Sequence, residues 1–315
     1  MKVTRRSALF AGLGALVGCG GLYALLRSPS AASVRARLTG THPVPSGPLS
    51  VFHLGHSLVN RDMPAMLAQL APAGHRYDSQ LGWGTTLQAH WGDAPVNGFE
   101  AENAHPRFRP AHEAVASGEY DAIVLTEMVE IRASIRWYDS PRYLARWAEK
   151  ALAARPDVRL YLYETWHPLD DPEGWLTRID LDHERYWLRQ VLGPALGKLP
   201  KGAPIHLIPA GPVLAAFVRA VEGRGGVGNV RSREDLFARN DDGSLDTIHL
   251  NDLGNYLVAL VHFAVLYHAS PVGLPHVVTR ADGTPATTAD PATAQLMQEV
   301  TAMVVATIGL SGIRA

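Results

Sequence analysis

Short apolar runs alternate along the chain with stretches whose apolar residues recur at helical spacing. Leu49-Ser50-Val51-Phe52-His53-Leu54 stops at Gly55 and reads as a buried strand leading into a turn. Met63 to Leu70 follows with helical periodicity, and Tyr77 to Leu81 is a weaker strand. Asp121 to Leu125, Val158 to Tyr163 and Ile205 to Pro209 are further strands, interleaved with expected helices over Arg142 to Ala154, Asp182 to Leu192 and Ala210 to Glu222. Asn251 to His268 predicts a long, mostly apolar helix, and Gln295 to Ile308 a last one. Strands that are apolar on both faces, alternating with helices, predict a three-layer α/β/α domain built on a mostly parallel sheet of about five strands. Such sheets carry their chemistry at the carboxyl ends of the strands. Residues 223–245, Gly-rich and then rich in Arg and Asp, are expected to form a loop, and 276–292 a polar excursion; there is no internal repeat.

The two ends of this pattern change the picture. Arg5 and Arg6 precede an apolar run from Ala8 to Leu26, the order of an export signal of twin-arginine type. Three outcomes stay open: cleavage after Ala32, following Ser30-Ala31-Ala32; lipidation at Cys19, within Leu16-Val17-Gly18-Cys19; or retention as an anchor, since about 19 apolar residues suffice to span a bilayer. Each puts the globular part outside the cytoplasm, in the periplasm or cell envelope, with membrane attachment through the N-terminal segment in two of the three. The expected organisation is residues 1–32 as signal peptide or anchor, 33–48 as a linker within the Ser/Ala/Pro/Gly-rich stretch from 28 to 48, and 49–315 as one domain. Cys19 is the single cysteine of the 315 residues, so the domain has no disulfide and no thiolate metal site. A net charge of −1 without a basic stripe argues against nucleic acid as a partner. His53 and His56 fit no metal-ligand pattern, because His53 lies inside a strand; no metal and no cofactor is expected.

Gly55-His56-Ser57-Leu58 closes the first strand and presents a serine at the carboxyl edge of the sheet. A serine hydroxyl is a weak nucleophile until a base takes its proton. Asp246-Thr247-Ile248-His249 stands just before the long helix, at a spacing that lets the carboxylate accept from Nδ1–H while Nε2 faces the serine. Ser57, Asp246 and His249 are therefore candidates for nucleophile, orienting acid and base.

These two blocks resemble the SGNH (GDSL-like) hydrolase superfamily, whose serine block commonly reads Gly-Asp-Ser-Leu and whose last block reads Asp-x-x-His. His56 stands here in place of the usual Asp. The resemblance covers residues 49 to 268 and implies a flavodoxin-like α/β/α fold and ester hydrolysis. It also implies an oxyanion hole built from the Ser57 N–H, a glycine in Gly82-Trp83-Gly84-Thr85-Thr86-Leu87, for which Gly84 is the candidate, and a side-chain donor after the third strand. At that third place the family has Gly-x-Asn-Asp, whereas this chain has Leu125-Thr126-Glu127-Met128. Thr126 then stands in for the missing amide, or Glu127 orients another donor. Trp166 is a candidate platform for a sugar ring, Trp83, His90 and Trp91 are expected to line the same cleft, and Trp83, Glu127 and Trp166 are the candidate substrate contacts. The implied activity is hydrolysis of an acyl or acetyl ester on a carbohydrate or lipid, with a small molecule or glycan as partner. An O-acyltransferase of the same fold, or a catalytically weak glycan-binding domain, are the alternatives.

Overall fold

The computed structural model describes residues 29–38, 42–200 and 202–312. Five strands form one parallel sheet: β1 (Ser50–Leu54), β2 (Arg76–Gln80), β3 (Ala122–Thr126), β4 (Arg159–Glu164) and β5 (His206–Pro209). Their order is β2-β1-β3-β4-β5, so the winding reverses between β1 and β3. In an open parallel sheet this reversal opens a crevice at the carboxyl ends of the strands.

The side-chain alternation of each strand feeds two separate cores. Val51, Val124, Tyr161, Tyr163 and Ile208 face one, with helices Asp62–Leu70, Ala210–Glu222, Asp252–Tyr267 and Pro291–Ile308. Phe52, Leu54, Ile123, Leu125, Leu160 and Leu162 face the other, with Ala111–Ala116, Ser140–Ala154 and the wide π-helical turns His183–Leu192. The expected three-layer α/β/α architecture is the one found. Among the described residues, no helix is long and apolar enough to cross a membrane.

Two segments differ from expectation. The stretch read as a tether contains a helix, Ala31–Arg37, capped by the Ser30 side chain, which accepts from the Ser33 N–H at 3.1 Å. It packs through Val34 into the second core, and Arg35 Nη1 donates to the Ile308 carbonyl at 2.8 Å. Its composition hid it, because Ala and Ser suit both linkers and short docked helices. The expected loop over 223–245 contains a short 3-10 turn, Arg233–Leu236, and a strand, β6 (Phe237–Arg239), paired antiparallel with β7 (Leu245–Leu250). The Asp-x-x-His block thus lies on β7, in a ribbon outside the main sheet, directly before the long helix as expected. Asn251 then caps that helix, its Oδ1 accepting from the N–H groups of Leu253 and Gly254. Cys19 and the twin arginines lie outside the described residues.

Candidate active site

Ser57 sits in the turn immediately after β1, half-buried. Its Oγ is 2.9 Å from His249 Nε2, and His249 Nδ1 is 2.7 Å from Asp246 Oδ2. Asp246 Oδ1 accepts from the N–H groups of Ile248 and His249, both at 2.9 Å. Burial pushes the Asp246 carboxyl upward, but these bonds outweigh it and hold the group below the usual aspartate value. With Nδ1–H donated to Asp246, Nε2 is the acceptor for the serine proton. The segment is fixed from the β4 side: Trp166 Nε1 donates to the Ile248 carbonyl at 2.8 Å, and the Leu169 N–H to the Thr247 carbonyl at 2.8 Å.

The serine turn is tied down by two buried histidines. His90 Nε2 donates to the Gly55 carbonyl at 2.7 Å, while its Nδ1 accepts from Gln80 Nε2 at 2.9 Å. His56 Nε2 donates to the Glu127 carbonyl at 2.9 Å, and its Nδ1 accepts from the Leu58 N–H at 3.3 Å. Burial lowers both imidazoles to about 4, so each is neutral near pH 7 and can hold one donor and one acceptor role. His90 and Trp91 do not line a cleft: His90 is buried, and Trp91 packs edge-on against Trp147, 4.8 Å between ring centroids.

The structure distributes the remaining site candidates unevenly. Gly84 has φ +53°, in the left-handed region, and a Cβ there would meet open space; Gly82 is the crowded glycine, where a Cβ would lie 2.2 Å from Thr85 Oγ1. Among the described residues, the N–H groups of Ser57 and Gly84 donate to no protein acceptor. Thr126 is not placed as an oxyanion donor. Its hydroxyl is buried behind Gly55, 2.9 Å from the position a Cβ on that glycine would take, so it packs under the turn rather than facing the crevice. Glu127 is likewise fully buried and cannot touch substrate directly. Trp166 is 1% exposed, which removes it as a sugar platform and leaves it as the support of β7. Trp83 is 54% exposed. Its Nε1 donates to Glu102 Oε1 at 2.7 Å, and its ring lies over Gly98, where a Cβ would come within 2.2 Å of the indole.

Sequence reasoning missed the anchors His90, Gln80 and Gly98. Gly98 carried a signal, since Asn97-Gly98 marks a turn with φ > 0. The histidines carried none, because an isolated His says nothing about the carbonyl it reaches.

No family model matches the chain, and no curated protein matches it. Among solved structures, the chain is similar to a DUF4886 family protein from Bacteroides uniformis, with TM-score 0.51 and 14% identity over 82% of this chain and 95% of that one. That likeness is one of fold. A protein from Parabacteroides merdae described as a GDSL-like lipase aligns with TM-score 0.42 and 12% identity over 72% of this chain and 99% of its own, too slight a likeness to carry an argument.

Proposed function

We propose that the chain is a serine ester hydrolase acting outside the cytoplasm on an acylated carbohydrate or lipid. The observation that carries the reading is the unbroken relay from Ser57 Oγ through His249 to Asp246, at 2.9 and 2.7 Å. In the first half-reaction His249 Nε2 takes the serine proton as Oγ bonds to the ester carbonyl carbon. The carbonyl oxygen becomes an oxyanion, held by the N–H groups of Ser57 and Gly84. Collapse expels the alcohol, which receives its proton from His249 and leaves an acyl-serine. Water then repeats the sequence, with His249 again as base, and releases the carboxylic acid. Asp246 stabilises the imidazolium formed in each half and fixes its tautomer.

The exposed face of Trp83 favours a sugar on the alcohol side, because a pyranose ring presents a flat array of C–H groups to an aromatic surface. Location outside the cytoplasm rests on the arginine pair and apolar run at the N-terminus.

The test is release of p-nitrophenol from short-chain acyl esters, together with labelling by a fluorophosphonate probe. Wild type should turn over and label at Ser57, and Ser57→Ala should do neither. A wild-type protein that is folded yet neither labels nor hydrolyses any ester of a chain-length panel sinks the proposal.

A further inference from the structure

We infer that Glu127 is a positioning residue that locks the loops after β1, β2 and β3 to one another, and so sets the spacing of the backbone donors beside Ser57. This rests on the hydrolase reading above. Three sets of bonds converge on this one residue. Its carbonyl accepts from His56 Nε2, which belongs to the serine turn. Its Oε1 accepts from the Met128 N–H at 2.8 Å and from the Leu87 N–H at 3.3 Å, so the segment that carries Gly84 is tied to the β3 loop. Its Oε2 accepts from Ser140 Oγ at 2.6 Å, at the start of the long helix Ser140–Ala154. The bonds from His56, Leu87 and Ser140 are buried, where an unpaired donor is costly and a satisfied one is rigid, and that from Met128 is part-buried.

The brace accounts for both departures from the sequence pattern the chain resembles. His56 occupies the position next to the nucleophile because an imidazole, unlike a carboxylate, can donate across to a carbonyl while accepting from the Leu58 N–H. Glu127 follows Thr126 because a carboxylate can accept three donors at once, whereas an amide oxygen serves two and leaves an N–H₂ to place. With Thr126 Oγ1 buried against Gly55, the oxyanion donors of the proposed mechanism are backbone groups, and backbone donors are only as well aimed as their loops. A displacement of about 1 Å in such groups can cost on the order of a hundredfold in rate.

The experiment compares wild type, Glu127→Ala, Glu127→Gln and His56→Ala by steady-state ester hydrolysis and by hydrogen exchange of the full chain. Glu127→Ala should lower kcat by roughly a hundredfold with KM within about threefold, because the substrate surface is untouched while the donors drift. Glu127→Gln should restore kcat to within about fivefold of wild type: its Oε1 still accepts from Leu87 and Met128, and its amide can donate to Ser140 Oγ. His56→Ala, which cuts only the tie to the serine turn, should also act on kcat, and it stands in if Glu127→Ala does not fold. Hydrogen exchange reads the brace without any substrate: the Leu87 and Met128 amides should lose protection in Glu127→Ala and keep it in Glu127→Gln. A folded Glu127→Ala with wild-type kcat overturns the inference, as does a Glu127→Gln enzyme as slow as the alanine variant, or unchanged protection at both amides. If wild type itself proves inactive, the function fails, and the exchange data still decide whether the brace exists.

Discussion

Asp246 binds three donors at once, two backbone N–H groups and the His249 ring, and this makes its charge separable from its shape. An asparagine keeps the volume and one acceptor oxygen for the turn, but its N–H₂ faces Nδ1 and forces the imidazole into the tautomer that cannot accept the serine proton. Asp246→Asn should therefore lower kcat by about 10³–10⁴-fold, with the circular dichroism spectrum of wild type. An activity loss under tenfold removes Asp246 from the relay. The two neighbouring glycines separate in the same way. Gly82→Ala meets Thr85 and Val96, at 2.2 and 2.5 Å, and should disturb the loop and lower the melting temperature. Gly84→Ala meets nothing and should cost only about 1–2 kcal/mol for its positive φ, yet lose at least roughly tenfold in kcat. The loss would come from strain at the positive φ turning the Gly84 N–H off its aim, so a Gly84→Ala enzyme with full kcat would show that catalysis does not depend on the exact orientation of that peptide. At this scale the sequence was informative where chemistry needs residues close in the chain, as in Asp246 and His249 or in the turn around Ser57. It misled where burial decides: nothing local distinguishes Trp166, sealed beneath β7, from Trp83, laid open over Gly98.

Among the elements, the β6–β7 ribbon was legible in hindsight through Asn240-Asp241-Asp242-Gly243-Ser244, whose Gly243 has φ +82°. A three-residue strand such as β6 is too short to show alternation, so its periodicity could not expose it. Four of the main strands and the four helices packed on the first core were readable because each is an apolar pattern with clear punctuation, whereas β2, Arg76-Tyr77-Asp78-Ser79-Gln80, is mostly polar and gave the weakest signal. The loops after β3 and β4 are joined by an ionic cluster around the buried Arg178 that sequence spacing could not reveal. Arg178 reaches Asp182 at 3.0 Å, Asp171 at 2.6 Å and Glu130 at 3.2 Å. Removing the guanidinium leaves Asp182 buried with fewer compensating donors, so Arg178→Ala should destabilise by about 3–5 kcal/mol in urea titration. The Glu127 brace has its own pH signature. Burial pushes that carboxyl up to about 7 from the ordinary glutamate value of 4.5, so its contribution is present below pH 4.5 and is lost as pH rises through 7. Glu127→Gln should gain stability relative to wild type across that window, on the order of 3 kcal/mol between its ends. A difference between the two proteins that stays constant with pH would place the Glu127 pKa in the ordinary carboxylate range.

For the whole molecule the opposite titration dominates. Burial lowers His56, His90 and His262 to about 4 and His53 well below its ordinary value. Their unfolded value is about 6.5, so the unfolded chain binds more protons than the fold between pH 6.5 and 4. Stability is therefore present above 6.5 and lost as pH falls toward 4, by up to about 1.4 kcal/mol per pH unit for each such group. Four histidines acting together outweigh one glutamate, so the urea midpoint should drop steeply from pH 7 to 4.5; a flat midpoint would contradict the neutral core histidines.

The relay joins side chains 192 residues apart. The serine is made with the first strand, and its base arrives only with the ribbon that precedes the helix Asp252–Tyr267. At a synthesis rate of about 5–20 residues per second, the nascent chain carries its nucleophile without a base for roughly 10–40 seconds. Under the proposed chemistry, a protein that cleaves esters stays inert while it is being built, and any fragment released early, before residue 246, is harmless to the acyl groups around it.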